Sequence, residues 1–160
     1  MDTNWPWDFW AAVGAVAAAA GAFATAAVAW FQIGALKRQQ RGWETLRACD
    51  KYDTDSVINQ ALVKLRDVRD ADELAKNPRP YRLEITIVMN YLEGMAIGIE
   101  QGMYDPRIVR DHLEPIIRDH VKEFLDRDMV KRLEMESDDF SRLKRLIESW
   151  DQKPTLYRTR

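Results

Sequence analysis

Residues Ala11–Ala29 read AAVGAVAAAAGAFATAAVA, nineteen residues without a charge or a proline. A helix rises about 1.5 Å per residue and bilayer hydrocarbon is about 30 Å thick, so about 20 apolar residues span it. Trp10 and Trp30 bracket the run, twenty residues apart. That spacing sets two indole rings at the two interfaces, where amphipathic rings prefer to sit. The stretch predicts one transmembrane helix over residues 10–36. A soluble alanine-rich helix and a cleaved signal peptide are the alternatives. The leader MDTNWPWDFW (residues 1–9 and Trp10) argues against the second, being aromatic and acidic where a secretory signal starts with basic residues.

Charge fixes the expected orientation. All 24 Lys and Arg lie from Lys37 onward, and Asp2 and Asp8 precede the span, leaving 24 of the 26 acids after it. Lys37, Arg38 and Arg41 stand at one end of the span, so the positive-inside rule leaves the N-terminus outside and the C-terminal part in the cytoplasm. Trp5, Trp7, Trp10, Trp30 and Trp43 are the expected interface anchors, with Trp43 over the headgroups or against the domain. The region from Lys37 is formally neutral overall. It therefore lacks the basic footprint of a nucleic-acid partner.

The span holds twelve alanines, three valines, two glycines, one Phe and one Thr, with no Leu or Ile. Small side chains let helices approach closely in lipid. A seam runs through Gly14, Ala18, Gly21, Thr25, Val28, Gln32 and Ala35, in steps of 4 and 3 that suit a left-handed helix pair. A homo-oligomer is expected through this face. One Thr and one Gln are too little polarity to wet a pore.

Beyond the span the sequence predicts an all-α cytoplasmic domain over 37–150, a compact bundle of four or five helices, and a flexible tail over 151–160. The membrane helix is expected to run on through Gln39–Asp50. Asp53–Ala75 carries Val57, Ile58, Ala61, Leu62, Leu65 and Val68 at helical spacing, with Asp53, Thr54 or Asp55 as N-cap. Asn77-Pro78-Arg79-Pro80 predicts a loop. Tyr81–Gln101 is apolar nearly all round and predicts the central helix; Glu84, Asn90, Glu93 and Glu100 argue against a second span. Gly102 is a C-cap, and Asp105-Pro106 opens the next helix, to about Arg127, with a kink or restart expected before Pro115. Asp126–Asp138 reads as a charged segment. Ser137 or Asp138 should cap a last helix over Asp139–Trp150, stopped by Pro154.

Few residues point to chemistry. Glu93 and Glu100 lie seven apart on the most apolar helix. They are candidate buried acids, each expected to meet an arginine such as Arg66, Arg69, Arg110 or Arg118, with acid–base or metal chemistry as the alternative. His112 and His120 close two Arg-Asp-His repeats spaced by eight, which turns them about 80° apart on a helix, poorly placed for one metal. Cys49, the only cysteine, is expected to be a small packed residue. Neither a phosphate-binding loop nor GxSxG nor HExxH occurs. No catalytic residue, metal or cofactor is assigned.

Asn90–Leu125 (NYLEGMAIGIEQGMYDPRIVRDHLEPIIRDHVKEFL) and Phe140–Trp150 (FSRLKRLIESW) resemble a family of bacterial and phage proteins known only as a domain of unknown function. The resemblance rests on Leu92-Glu93, Ala96-Ile97-Gly98-Ile99, Gly102 and Asp105. It implies one N-terminal span, a compact helical cytoplasmic region and a bacterial or phage origin, but no activity; the expected location is the bacterial inner membrane. The expected function is a membrane-anchored interaction or scaffold protein, with the lipid bilayer, a second copy and a cytoplasmic protein as partners. An effector in phage–host conflict acting on the bilayer is the first alternative, and a membrane-tethered hydrolase using Glu93 and Glu100 the second.

Overall fold

The computed structural model describes residues 6–70, 73–136 and 138–152. Among them there is no strand. The order is α1 (Trp7–Thr54), α2 (Ser56–Asp70), the single turn α3 (Glu73–Lys76), a 3₁₀ turn (Arg79–Tyr81), α4 (Arg82–Glu100), α5 (Pro106–Phe124), α6 (Arg127–Leu133) and α7 (Ser141–Gln152). The chain divides into two compact units between Gln40 and Arg41. The expected anchor Trp5, the cap Ser137, the stop at Pro154 and residues 153–160 of the tail lie outside the described residues.

The first unit is α1 up to Gln40. Every side chain described there is exposed. Alanine is the strongest helix former, and no proline or charge interrupts the run.

The second unit is an all-α bundle centred on α4, which packs on α2, α5 and α7. Ile85, Val88, Met89, Leu92, Met95 and Ala96 of α4 are buried. They meet Ala61 and Leu65 of α2, Val109, Leu113, Ile117 and Phe124 of α5, and Leu143, Leu146 and Trp150 of α7 in one core. Ala48, Cys49 and Tyr52 of α1 join the same core. The central role expected of this helix is met, although Leu83 and Ile97 remain exposed.

Local chemistry sets the boundaries. Asp55 separates α1 from α2, its Oδ1 accepting from Val57 N at 2.9 Å and Ile58 N at 3.2 Å. At the end of α4, Gly102 takes φ 72. Met103 N donates to Gly98 O at 2.8 Å and Gly102 N to Ile99 O at 3.0 Å, the paired bonds of a Schellman stop. Asp105 then caps α5 by accepting from Arg107 N at 2.9 Å, with Pro106 in the first turn.

At three places the structure adds detail to what the sequence predicts. No restart occurs before Pro115: α5 is one helix over Pro106–Phe124. Pro115 lies on its exposed side, where water can take the carbonyl that a proline leaves unpaired. The charged segment after α5 contains a helix, α6, whose cap Asp126 accepts from Asp128 N at 3.1 Å and which buries Leu133. It ends at Glu134 in the left-handed region. Finally, α7 runs to Gln152, so residues 151–152 belong to a helix and not to a tail.

Candidate functional site

The first unit offers one chemical feature, its surface. The apolar window of α1 has mean hydropathy 1.9 and is wholly exposed. By length and composition, α1 is the helix among the described residues that could cross a membrane. Gly14, Ala18, Gly21, Thr25, Val28 and Gln32 all lie on it exposed, and a Cβ added at Gly14 or Gly21 would meet nothing within 4 Å. The Thr25 hydroxyl donates to Gly21 O at 2.8 Å, so its proton is already used within the helix.

A second pattern lies opposite. Phe9, Val16, Phe23 and Trp30 follow one another at steps of seven and are all exposed. Seven residues fall about 20° short of two full turns, so the four make one nearly straight stripe. Phe23 is nine residues from Gly14, about half a turn away. The helix thus has a bulky face and a small face. The spacing of seven was legible in the sequence, but twelve alanines concealed it. Trp7, Trp10 and Trp30 are exposed as interface anchors must be, and so is Trp43, at 67%; Trp43 does not pack into the domain.

In the second unit, the first turns of α1 grip the α4–α5 turn. Arg41 Nη2 donates to Tyr104 O at 2.5 Å. Thr45, fully buried, donates to Arg41 O at 2.7 Å and accepts from Asp105 N at 2.8 Å. Of the three cations expected to set orientation, Lys37 and Arg38 are exposed, whereas Arg41 is half-buried and ties down a loop. Tyr104 also lies against Gly98: a Cβ there would come within 2.3 Å of the ring, so only glycine permits this approach.

Deeper along the same helix is a buried polar group. Tyr52 Oη and His120 Nε2 are 2.6 Å apart, and the Tyr91 hydroxyl donates to Ala48 O. His120 stacks on Phe124 with ring centroids 5.4 Å apart. Burial, aided by the charge of Arg69, lowers the His120 pKa to about 4, so the imidazole is neutral at ordinary pH. Burial pushes the Tyr52 hydroxyl up to about 12, and Asp53 adds to it. Burial and then Asp50 push the Cys49 thiol up to about 11, which makes it the packed thiol expected and a poor nucleophile. His112, by contrast, is exposed.

Glu93 and Glu100 do not form a buried pair. Glu93 is half-buried and Glu100 exposed. Glu93 caps α7 from another helix, accepting from Arg142 N at 3.1 Å and Leu143 N at 2.8 Å. Glu100 pairs with Arg142 and Arg145. The partner type expected for Glu100 is right and the arginines differ. Arg110 and Arg118 instead flank Glu114, at 2.9 and 2.8 Å, and Arg69 pairs with Glu123. A carboxylate accepting two backbone amides at a helix start also complements the helix dipole. No group of three or more His, Cys, Asp or Glu among the described residues could hold a metal ion.

These features define a class: an all-α protein that joins a bare apolar helix to a helical domain built around α4. Residues 19–159 match the family model described as Domain of unknown function (DUF4760), and the chain belongs to that family. It matches no curated protein and no solved structure.

Proposed function

We propose that the chain is a membrane-anchored interaction or scaffold protein of the bacterial inner membrane. Its N-terminus lies outside, its helical domain lies in the cytoplasm, and it self-associates through Gly14, Ala18, Gly21, Thr25, Val28 and Gln32. The observation that carries this reading is the apolar window of α1, none of which is buried within the chain. Such a helix satisfies its own backbone and leaves its side chains to be covered by lipid or another helix. The confinement of every Lys and Arg to the region from Lys37 onward supports the orientation. The division of α1 into a bulky stripe and a small face supports self-association, since small faces let backbones approach while bulky side chains fill the acyl region.

Mass measurement by light scattering, on the full chain in nanodiscs or mild detergent, tests the reading. A multiple of 18.6 kDa is expected, falling to the monomer when Gly14→Leu and Gly21→Leu are combined. A wild-type monomer, or a double variant of unchanged mass, removes the seam. Recovery of the native chain in the soluble fraction removes the anchor.

A further inference from the structure

The sequence of α4 is apolar nearly all round, yet the domain buries only part of that circumference. Leu83, Ile87, Asn90, Gly94 and Ile97 follow one another at steps of 4, 3, 4 and 3 and share about 80° of arc. Leu83 is 67% and Ile97 37% exposed. Asn90 and Gly94 are exposed, and Ile87 is half-buried. Two residues of this strip answer to nothing inside the domain. A Cβ added at Gly94 would meet nothing within 4 Å, and its φ is not positive. Neither packing nor backbone therefore calls for a glycine, which weakens a helix relative to alanine. The Asn90 amide has no hydrogen-bond partner among the described residues, although it sits at the centre of an apolar strip.

We propose that the strip is a contact between two copies of the chain, with their α4 helices antiparallel about a two-fold axis at Asn90. Such an axis sets residues equally far before and after Asn90 against each other. Leu83 then meets Ile97 of the second copy. Ile87 meets Gly94 within one residue, a branched side chain over bare backbone. At the axis the two amides face each other. An amide carries donors and an acceptor, so it complements itself, and a lone Asn in an apolar seam fixes register. Arg82 and Glu100 are exposed and lie on one flank of the strip. The antiparallel register brings Arg82 of one copy within about 3 Å, measured along the helix, of Glu100 of the other. A parallel pair would set each charge against its own kind. A standard interface engages about 20–30 residues a side. Five are too few to hold diluted copies, so the contact works between chains that an anchor already concentrates. In that respect the inference rests on the membrane span proposed above, and its test separates the two.

The test uses the full chain with Cys49→Ala, carrying Leu83→Cys, Ile97→Cys, both changes together, or Val57→Cys. Val57 is exposed on α2 and reports random collision. Lysed expressing cells are oxidised with copper phenanthroline and separated into membrane and soluble fractions. Fourteen residues of helix hold positions 83 and 97 about 21 Å apart. That is too far to close within one chain, or to join either position to its own copy across the axis. The double variant is therefore expected to give about fivefold or more covalent dimer than any single variant, because only it carries both facing positions. Asn90→Asp, added to the double variant, opposes two like charges at the axis and should cut the yield about fivefold, with far-UV circular dichroism unchanged. A double variant no better than Val57→Cys overturns the contact. Dimer from Leu83→Cys alone at the rate of the double variant overturns the antiparallel register, and a yield indifferent to Asn90→Asp overturns the axis. Fractionation reports on the span: specific dimer in the soluble fraction keeps the contact and removes the anchor, whereas membrane-bound chain at the collision yield removes the contact alone.

Discussion

The two parts of α1 on either side of Gln40 solve opposite problems. Before that point the helix is alanine-rich, uncharged through Ala11–Ala29, and none of its described side chains is buried. After it, Thr45, Ala48, Cys49 and Tyr52 are buried, and polar atoms on the same turns find partners across distant sequence. In the first part no tertiary contact selects the residues, so composition reflects the solvent that must accept them. In the second, identity matters position by position, because an unpaired buried hydroxyl costs about 1–3 kcal/mol. A helix can therefore be continuous in backbone while its side chains answer to two environments. Substitutions in the two parts should consequently act on different observables, domain stability in one and association in the other.

The largest effect belongs to the core. Phe124 is fully buried and stacks on His120. Phe124→Ala should cost about 3–5 kcal/mol of domain stability, the range for truncating a buried aromatic. Denaturant unfolding in detergent, followed by far-UV circular dichroism, measures it. The oligomer mass should not change while the domain stays folded. Loss of association at that point would show that the domain, not the span, holds the copies together.

Acid sharpens the contrast next. His120 has its pKa lowered from 6.5 to about 4 by burial. The folded domain holds the imidazole neutral, while the unfolded chain binds the proton more readily. Stability from this group is thus fully present above about pH 6.5 and falls as pH drops toward 4, below which both states are protonated. Melting temperature against pH should decline across that window in the wild type and decline less in His120→Gln. Equal slopes would mean that other groups carry the acid limb.

Glu93→Ala should cost about 1 kcal/mol, the usual worth of a helix cap, and should speed amide exchange at Arg142 and Leu143 before that of other helices. Uniform exchange across α7 would show that packing of Leu143, Leu146 and Trp150 fixes the helix without the cap.

What the residues disclosed in advance follows the range of each interaction. The end of α4 at Gly102 and the start of α5 at Asp105-Pro106 are decided by neighbours in sequence, and both were legible. The central place of α4 was legible because its apolar side chains outnumber its charges. The helix α6 was not, because Met129, Val130 and Leu133 stand alone among charges and present barely one turn of pattern. Nor was the cap of α7, whose carboxylate lies 49 and 50 residues from the amides it accepts. Arg41 looked like Lys37 and Arg38 in a charge count. Only tertiary structure separates a cation that faces solvent from one bonded to the carbonyl of Tyr104. The same limit applies to His120, which the repeat Arg-Asp-His equates with His112 although only one of the two is built into the core.

The smallest predicted effect bears on the seam itself. Thr25 is the only hydroxyl in Ala11–Ala29, and sequence alone counts it as polar glue between helices. Its proton is spent on Gly21 O, 2.8 Å away, a back-bond that serine and threonine form readily within helices. It can therefore accept from a second copy but has no proton to donate without breaking that bond. Gln32 has two donors and an acceptor on its amide and lies on the same face. Thr25→Val, nearly equal in shape, should change the dimerisation free energy by less than about 0.5 kcal/mol, whereas Gln32→Leu should weaken it by about 0.6–1.7 kcal/mol, the span measured for interhelical hydrogen bonds in lipid. Energy transfer between labelled copies, diluted in vesicles, gives both values. A larger loss at Thr25 than at Gln32 would mean that the hydroxyl turns from Gly21 to the partner on association, and that the seam packs around residue 25.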